Sequence, residues 1–188
     1  DHSAGLRLNG ALSIAQNKGR WQELQRQATT AQLYDVDVRI LDKDQIKKDY
    51  PIVNTDEIIG GILMPGDGAA DPSGVTHMLA KAARVEGAQI FEKSPVEEIL
   101  TKNGKIAGVK VNGHEIECEY IVLASGMWSR QIGEKTGVSI PLYPAEHFYI
   151  VTEPIKNLSK TLPVIRDYDN RTYIKEDAGK ILVGIFEG

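Results

Sequence analysis

The turn formed by Ala124, Ser125 and Gly126 is one place where this sequence could bind a ligand. It ends an apolar run that begins at Tyr120, and such a run predicts a strand buried on both faces. Three small residues between a buried strand and a helix let a ligand approach the main chain closely, and a helix N-terminus favours phosphate. The alternative interpretation is a tight strand-to-helix turn that needs a glycine.

His147 and Tyr173 are residues that could transfer or orient a proton. Histidine is the commonest general acid or base in enzymes, and a tyrosine hydroxyl can also take part in proton transfer. The two residues lie on different predicted strands, so they converge only if both strands belong to one sheet in a specific register. Otherwise His147 is a structural residue and Tyr173 is a strand aromatic packed in a core.

The remaining charged candidates have simpler interpretations. Arg166 could hold a substrate carboxylate through two parallel hydrogen bonds, or it could form a surface ion pair with a neighbour of Asp167. Asp67 lies in a Pro-Gly-Asp-Gly loop, and we interpret it as a turn residue. No chemical role is expected for the three other histidines, which are His2, His77 and His114.

Motifs that would identify a reaction directly are absent from the sequence. The loop glycines at positions 66 and 68 are followed by Asp71, where a dinucleotide-binding motif needs its third glycine. There is no P-loop, no Gly-x-Ser-x-Gly elbow, and no zinc-ligand spacing among the four histidines and one cysteine. We therefore expect no metal, and the residues alone leave the reaction open.

Composition describes an ordinary globular protein of 188 residues, with 41% hydrophobic and 26% charged residues and a net charge of -4. The basic residues are scattered, so we expect no nucleic-acid binding. The apolar runs are too short to span a bilayer, so we expect no membrane insertion. A single cysteine, Cys118, excludes an internal disulfide and fits a reducing compartment, and we expect a cytoplasmic protein.

The two ends of the chain also carry information. The sequence starts at Asp1 without a methionine, inside a Gly-containing stretch, and it stops at Gly188 directly after an apolar strand pattern. A strand at the very end of a chain usually has a partner further on. We interpret both ends as truncations, so the chain is expected to be an internal fragment.

The hydrophobic pattern predicts two strand-rich parts of the chain that flank a different middle part. In the first part we predict strands over 6–15, 36–41 and 58–64, with helices over 18–33 and from Asp42, whose side chain forms a capping box with Gln45. In the last part we predict strands near 147–152, 164–166, 172–175 and 181–185. We expect these two parts to share one mostly antiparallel sheet.

The middle part has its own order of elements. Asp71 and Pro72 begin a helix that Gly87 ends, and a short strand over 88–91 follows. Two Asn-Gly turns separate strands over 96–101, 106–111 and 114–118, which predicts a three-stranded meander. The buried strand over 120–124 and a short helix from about Trp128 complete this part. The whole chain is therefore predicted to have an α+β fold.

Several segments of the sequence occur in a characteristic order. They are Asp67-Gly-Ala-Ala-Asp71-Pro72, Gly87-Ala88, Ser94-Pro95-Val96-Glu97-Glu98-Ile99, residues 121–129, residues 144–152, and residues 162–167 followed by Tyr173. In this order they resemble the D-amino-acid-oxidase-type superfamily of FAD enzymes, and most of all its dimethylglycine and sarcosine dehydrogenase or oxidase branch. The resemblance is collinear over nearly the whole chain.

The resemblance implies a domain organisation and an FAD site. Residues 1–64 and 139–188 would form the substrate domain with its antiparallel sheet, and residues 65–138 an inserted, partial FAD-binding α/β unit. The backbone of Val96 would contact the adenosine of FAD, and the turn of Ala124, Ser125 and Gly126 would run near the pyrophosphate. Trp128 would close that region. Family members often have Ala or Thr in place of Ser125, a harmless difference where the backbone makes the contact.

The resemblance also implies a reaction for the intact parent protein, which would oxidise a small N-methylated amino acid such as dimethylglycine or sarcosine. A hydride would pass from the N-methyl carbon to the flavin N5, and the iminium product would be hydrolysed or passed to folate. His147 and Tyr173 would face the flavin as catalytic residues. The alternatives are another enzyme of the superfamily, such as a glycine, D-amino-acid or glycerol-3-phosphate oxidase, or a non-catalytic module that self-associates.

In such enzymes a Gly-rich phosphate loop precedes the region that this chain matches, and a further FAD-contacting segment follows it. Both are missing from this sequence. We therefore expect the chain alone to bind FAD poorly, to be inactive, and to form dimers or larger homo-oligomers through surface that the missing segments would cover.

Overall fold

A computed structural model describes residues 4–186 of the chain. The described residues form two compact units, of which one contains residues 4–82 and 147–186 and the other contains Ala83–Glu146. These bounds differ from the predicted insert of 65–138, because the loop after residue 64 is tied to the first unit. There Arg7 and Ala69 exchange backbone hydrogen bonds of 2.8 and 3.0 Å. The assignment of substrate and cofactor roles to the two units stays a prediction.

The first unit is built on a seven-stranded sheet whose strand order is β2-β3-β1-β8-β9-β10-β7. All neighbours pair antiparallel except β1 and β8, which are parallel. The expected single, mostly antiparallel sheet and the α+β fold are therefore confirmed. The strands are β1 (Ala11–Ala15), β2 (Arg39–Asp42), β3 (Gly60–Met64), β7 (Phe148–Val151), β8 (Val164–Asp167), β9 (Thr172–Asp177) and β10 (Lys180–Ile185).

Strand β1 lies in the interior of this sheet, between β3 and β8, and all five of its residues are buried. Its side chains alternate between two cores, as a strand with both faces covered requires. Leu12 and Ile14 pack with Ile165 on one face. On the other face Ala15 packs against helix α1 (Lys18–Gln32), which therefore covers the sheet over β1 and β3.

Local sequence signals explain where the helices of this unit begin. The Asn17 side chain accepts a hydrogen bond from the backbone N–H of Arg20 and caps α1. Helix α2 (Lys43–Asp49) begins at Asp42, and the capping box with Gln45 is present as predicted. No helix within residues 4–186 is long and apolar enough to cross a lipid bilayer.

Helix α3 (Pro72–Val85) also begins as predicted, because the Asp71 carboxylate accepts hydrogen bonds from the backbone N–H groups of Ser73 and Gly74. Gly87, with a φ of 94°, follows its end. The second unit then contains the meander of β4 (Val96–Lys102), β5 (Lys105–Val111) and β6 (His114–Glu117).

The two Asn-Gly turns of this meander have the left-handed backbone that the hairpin prediction requires. The φ angles are 54° and 73° at Asn103 and Gly104, and 50° and 77° at Asn112 and Gly113. Such turns match the twist of antiparallel strands. The three-stranded meander is therefore confirmed.

Three strand predictions are wrong. Residues 120–124 are not a strand, and Tyr120 and Val122 are each 88% exposed. An apolar run becomes a buried strand only beside partner strands, and no strand of residues 4–186 pairs with this one. Residues 88–91 have no partner strand within residues 4–186 either. Strand β1 begins only at Ala11, because the segment before it makes a single bridge, between Arg7 and Ala69. The helix expected near Trp128 is a 3-10 turn (Gly126–Trp128) followed by α4 (Ser129–Glu134).

A partly buried ion pair fixes strand β9 from its core face. The side chain of Glu176 is 1% exposed, and its Oε2 lies 2.5 Å from Nη1 of Arg7. Its Oε1 accepts a hydrogen bond of 2.8 Å from the backbone N–H of Gly179. Burial acts to raise the pKa of Glu176, but the Gly179 N–H and Arg7 outweigh it, so the pKa lies below its usual range.

We predict that this pair makes the stability of the first unit depend on acidity. Because the folded-state pKa of Glu176 is lowered, its contribution is complete above the unfolded-state pKa of about 4.3 and is lost as the pH falls through the folded-state value. Glu176→Gln should lower the free energy of unfolding at neutral pH by about 1–3 kcal/mol and flatten its acid dependence.

Urea unfolding between neutral and acidic pH measures both effects. Glu153→Gln, at an exposed position, is the control and should leave the curve unchanged. An unchanged acid dependence in the Glu176→Gln variant would contradict the assignment.

Candidate active site

The structure brings His147 and Tyr173 together. Nε2 of His147 lies 3.2 Å from the hydroxyl oxygen of Tyr173, which is hydrogen-bonding distance, and the tautomer of the imidazole decides which atom donates. The two rings stack with centroids 5.7 Å apart and an angle of 18° between their planes. Tyr173 belongs to β9, and His147 directly precedes β7, so the expected convergence on one face of the sheet is observed.

Phe186 is a third member of this cluster, and the sequence reasoning missed it. Its ring stacks on His147 with centroids 4.7 Å apart, and it lies 5.6 Å from the ring of Tyr173. The backbone N–H of Phe186 donates to the carbonyl of Arg171 at 2.8 Å, which continues the β9–β10 ladder by one residue. Strand alternation from Leu182 through Gly184 was the signal that could have placed Phe186 on the same face as Tyr173.

This face of the sheet carries a cleft of about 730 Å³. It occupies the part of the sheet formed by β8, β9, β10 and β7, beside the part that α1 covers. Three basic side chains and four aromatic side chains contribute to it. The residues that line it include Tyr149, Arg166, Arg171, Tyr173, Lys175 and Phe186.

Arg166 lies directly opposite Tyr173 in the pairing of β8 with β9. Its Nη2 is 3.3 Å from Oδ2 of Asp67, and both side chains are half-buried. The partner of Arg166 is therefore Asp67, and not a neighbour of Asp167 as one sequence interpretation had it. Asp67 is also the turn residue that was expected, since its Oδ1 accepts a hydrogen bond of 2.7 Å from the N–H of Gly68.

The other two cations of the cleft have no ionic partner among residues 4–186. Lys175 follows Tyr173 by two residues on β9 and so shares its face, and Arg171 lies in the turn before β9 with a φ of 54°. Neither side chain forms an ion pair with any residue in the range 4–186. A cleft with unpaired cations favours an anionic group, because burying the anion there restores charge balance.

The arrangement can therefore hold a small molecule by two kinds of contact. The hydroxyl of Tyr173 and the imidazole of His147 are hydrogen-bonded to each other, and each group can also form a hydrogen bond with an amine. The basic side chains can hold a carboxylate within the same cleft. Of the other histidines, His77 and His114 are exposed on the surface, and His2 lies outside the described residues.

The residues predicted to hold a cofactor lie in the second unit. Val96 is the first residue of β4 and is half-exposed, and Trp128 is 60% exposed in the 3-10 turn. Gly126 has a φ of 54°, and no atom lies within 4 Å of the position where a Cβ would be. Ser125 Oγ is 3.0 Å from Ser129 Oγ. The main chain of this turn is uncovered on its outer side, which fits a group that approaches the backbone.

Comparison with known proteins gives one family. A family model described as FAD dependent oxidoreductase matches residues 1–187. The L-proline dehydrogenase of P. horikoshii has a similar structure, with a TM-score of 0.88 and 26% sequence identity over 97% of this chain and 50% of that one.

Three curated relatives are named for the oxidation of related amines. The 4-methylaminobutanoate oxidase (formaldehyde-forming) of Paenarthrobacter nicotinovorans is 36% identical over 95% of this chain, and the mitochondrial sarcosine dehydrogenase of Homo sapiens is 33% identical over 95%. The mitochondrial dimethylglycine dehydrogenase of Rattus norvegicus is 30% identical over 97%. The chain spans 22%, 20% and 22% of the lengths of these three proteins, or about a fifth.

Proposed function

This chain belongs to the family of FAD-dependent oxidoreductases, and from that premise we propose that the longer protein containing it oxidises a small N-methylated amino acid such as dimethylglycine or sarcosine. We call that longer protein the parent protein. The observation that carries the proposal is the hydrogen-bonded pair of His147 and Tyr173 beside the cations of the cleft. The three relatives support it, because each is named for a methylated amine that also bears a carboxylate.

The amine end of such a substrate is proposed to meet His147 and Tyr173. An amine must be neutral before its carbon can be oxidised, since a positive nitrogen has no lone pair to stabilise the developing iminium. Tyr173 would orient the amine through its hydroxyl, and His147, 3.2 Å away, would accept the proton directly or through that hydroxyl. The two residues together bias the protonation state of the amine.

The acid end is proposed to lie against the cations of the cleft. Arg171 and Lys175 have no ionic partner in the described residues, and Arg166 is paired with the carboxylate of Asp67. Arg166 stands opposite Tyr173, so a carboxylate there would be a few ångströms from the amine contact. The short spacing between amine and carboxylate in sarcosine or dimethylglycine suits this arrangement.

FAD is the proposed oxidant, and when bound it supplies the two-electron acceptor for this chemistry. Val96 would contact it through the backbone, and Ala124, Ser125 and Gly126 would let it approach the main chain. Trp128 would cover that contact. Oxidation of an N-methyl group yields a one-carbon unit, so folate is a proposed acceptor of the product. We also propose a cytoplasmic location, on the ground that the free thiol of Cys118 is the only one in the sequence.

We predict that replacing either site residue slows amine oxidation in the parent protein. His147→Ala and Tyr173→Phe should each lower kcat/KM for sarcosine and dimethylglycine by roughly a hundredfold, because each removes one positioned group for proton transfer or orientation. His77→Ala and Tyr34→Phe are the matched controls, since both positions are exposed outside the cleft.

Steady-state kinetics with both substrates, and with glycine, D-alanine and glycerol 3-phosphate for comparison, gives the measurement. Parent-like rates in both site variants would contradict the catalytic assignment. Faster turnover of glycine, D-alanine or glycerol 3-phosphate would instead identify another enzyme of the superfamily.

The chain by itself is predicted to bind FAD at far less than one molecule per chain. It has no Gly-x-Gly-x-x-Gly loop to receive the pyrophosphate, and the proposed contacts of the second unit make only part of a site. The visible absorbance of the purified chain after incubation with FAD and gel filtration measures the stoichiometry. A stoichiometrically yellow chain would contradict this expectation.

We further predict that the chain by itself forms dimers or larger oligomers. Strand β7 is an edge of the sheet, and its residues Phe148 and Ile150 are 64% and 68% exposed. An apolar edge strand pairs readily with a second chain. Ile150→Lys should shift sedimentation velocity profiles towards the monomer, whereas Leu33→Lys, at a 79% exposed position away from any strand, should not. A monomeric unmodified chain at high concentration would contradict the prediction.

A further inference from the structure

Gly184 lies directly between the two residues of the proposed catalytic pair. On β10 it stands opposite Tyr173 of β9, and on its other side it stands opposite Tyr149 of β7, the strand that His147 precedes. A Cβ at Gly184 would lie 2.2 Å from both Cε1 and Cζ of Tyr173 and 2.5 Å from its hydroxyl oxygen. The ring of Tyr173 therefore occupies the space where a side chain of residue 184 would be.

Strand geometry shows why this space is needed. Neighbouring strands are about 4.8 Å apart, so β9 and β7, with β10 between them, are separated by roughly 10 Å. Side chains normally stand roughly perpendicular to the sheet, and in that orientation a residue on β9 does not reach one beside β7. Tyr173 reaches His147 because its ring lies along the sheet, across the backbone of β10.

The backbone does not require a glycine at this position. Eight described glycines have positive φ angles, which L side chains rarely adopt, and Gly184 is not one of them. A glycine in the middle of a strand weakens that strand and often marks a place where another group approaches the backbone closely. At Gly184 the approaching group is the ring of Tyr173, and it leaves Gly184 buried.

We infer that Gly184 is a positioning residue, whose missing side chain lets Tyr173 lie across β10 and meet His147. Phe186 lies two residues further along the same face, and its ring packs on both His147 and Tyr173. The missing side chain at Gly184 therefore leaves space for the ring of Tyr173, and the ring of Phe186 limits where that ring can lie. The geometric part of this inference stands alone, and its consequence for catalysis rests on the proposed function.

The test compares Gly184→Ala, Tyr173→Ala and the double variant in the FAD-loaded parent protein. Two quantities are measured for each: the distance from His147 Nε2 to the hydroxyl of residue 173 in a crystal structure, where that hydroxyl exists, and the rate of flavin reduction by sarcosine. Ile185→Ala is the control, because Ile185 is on the same strand but its side chain points to the opposite face.

Gly184→Ala is expected to swing the ring of Tyr173 into the open cleft. The distance should rise from 3.2 Å to beyond hydrogen-bonding range, and the reduction rate should fall by about a hundredfold, with little change in melting temperature. In the Tyr173→Ala background, Gly184→Ala should cause no further loss, because the ring it would displace is gone. Ile185→Ala should change neither quantity.

An unchanged distance and rate in Gly184→Ala would overturn the inference. A reduction rate that is much lower in the double variant than in Tyr173→Ala would overturn it as well. If Gly184→Ala fails to fold, recovery of folding in the double variant supports the inference, and an unfolded double variant overturns it. A lost contact, together with parent-like rates in both Gly184→Ala and Tyr173→Phe, would uphold the positioning role while rejecting the proposed role of Tyr173.

Discussion

The register of β9 against β10 is the constraint on which the candidate site depends. Side chains alternate along a strand, so a slip of one residue would send Tyr173 into the core and bring Ile174 to the cleft. Packing on the opposite face opposes that slip. Ile174 contacts the apolar core there, and the buried carboxylate of Glu176 is paired with Arg7. The residues that hold the register are thus on one face, and the residues that could do chemistry are on the other.

The same alternation gathers the remaining features of the cleft. Tyr173 lies opposite Arg166 on one side and opposite Gly184 on the other, so a cation, a phenol and a residue without a side chain follow one another across three strands. Lys175 extends the basic surface along β9. The proposed amine contact at Tyr173 and the proposed acid contact at Arg166 therefore fall on neighbouring strands of one sheet, while His147 and Arg171 lie just outside the strands. Residues on strands hold a binding site more precisely than residues on loops do, which favours the proposed site.

Short-range signals in the sequence predicted much of this fold. The capping box of Asp42 and Gln45 and the cap at Asp71 act over three residues, and the Asn-Gly turns act within one hairpin. Contacts between distant residues were harder to predict. The partner of Arg166 is Asp67, and the parallel pairing of β1 with β8 joins segments from the two ends of the chain. Neither leaves a local pattern, because each depends on how the whole sheet assembles.

The convergence of His147 and Tyr173 was predictable only as a condition on register, and the role of Phe186 was not predicted at all. The apolar run at 120–124 was predicted to be a buried strand because composition indicates what a segment could bury, and not which strands pair with it.

The most direct test of the central claim is a crystal structure of the FAD-loaded parent protein with an N-methylated amino acid bound. We predict that the amine nitrogen lies within roughly 3.2 Å of Tyr173 Oη or His147 Nε2, with the carboxylate against Arg166, Arg171 or Lys175. A substrate bound outside this cleft, or with its carboxylate at His147 and its amine at the cations, would contradict the account.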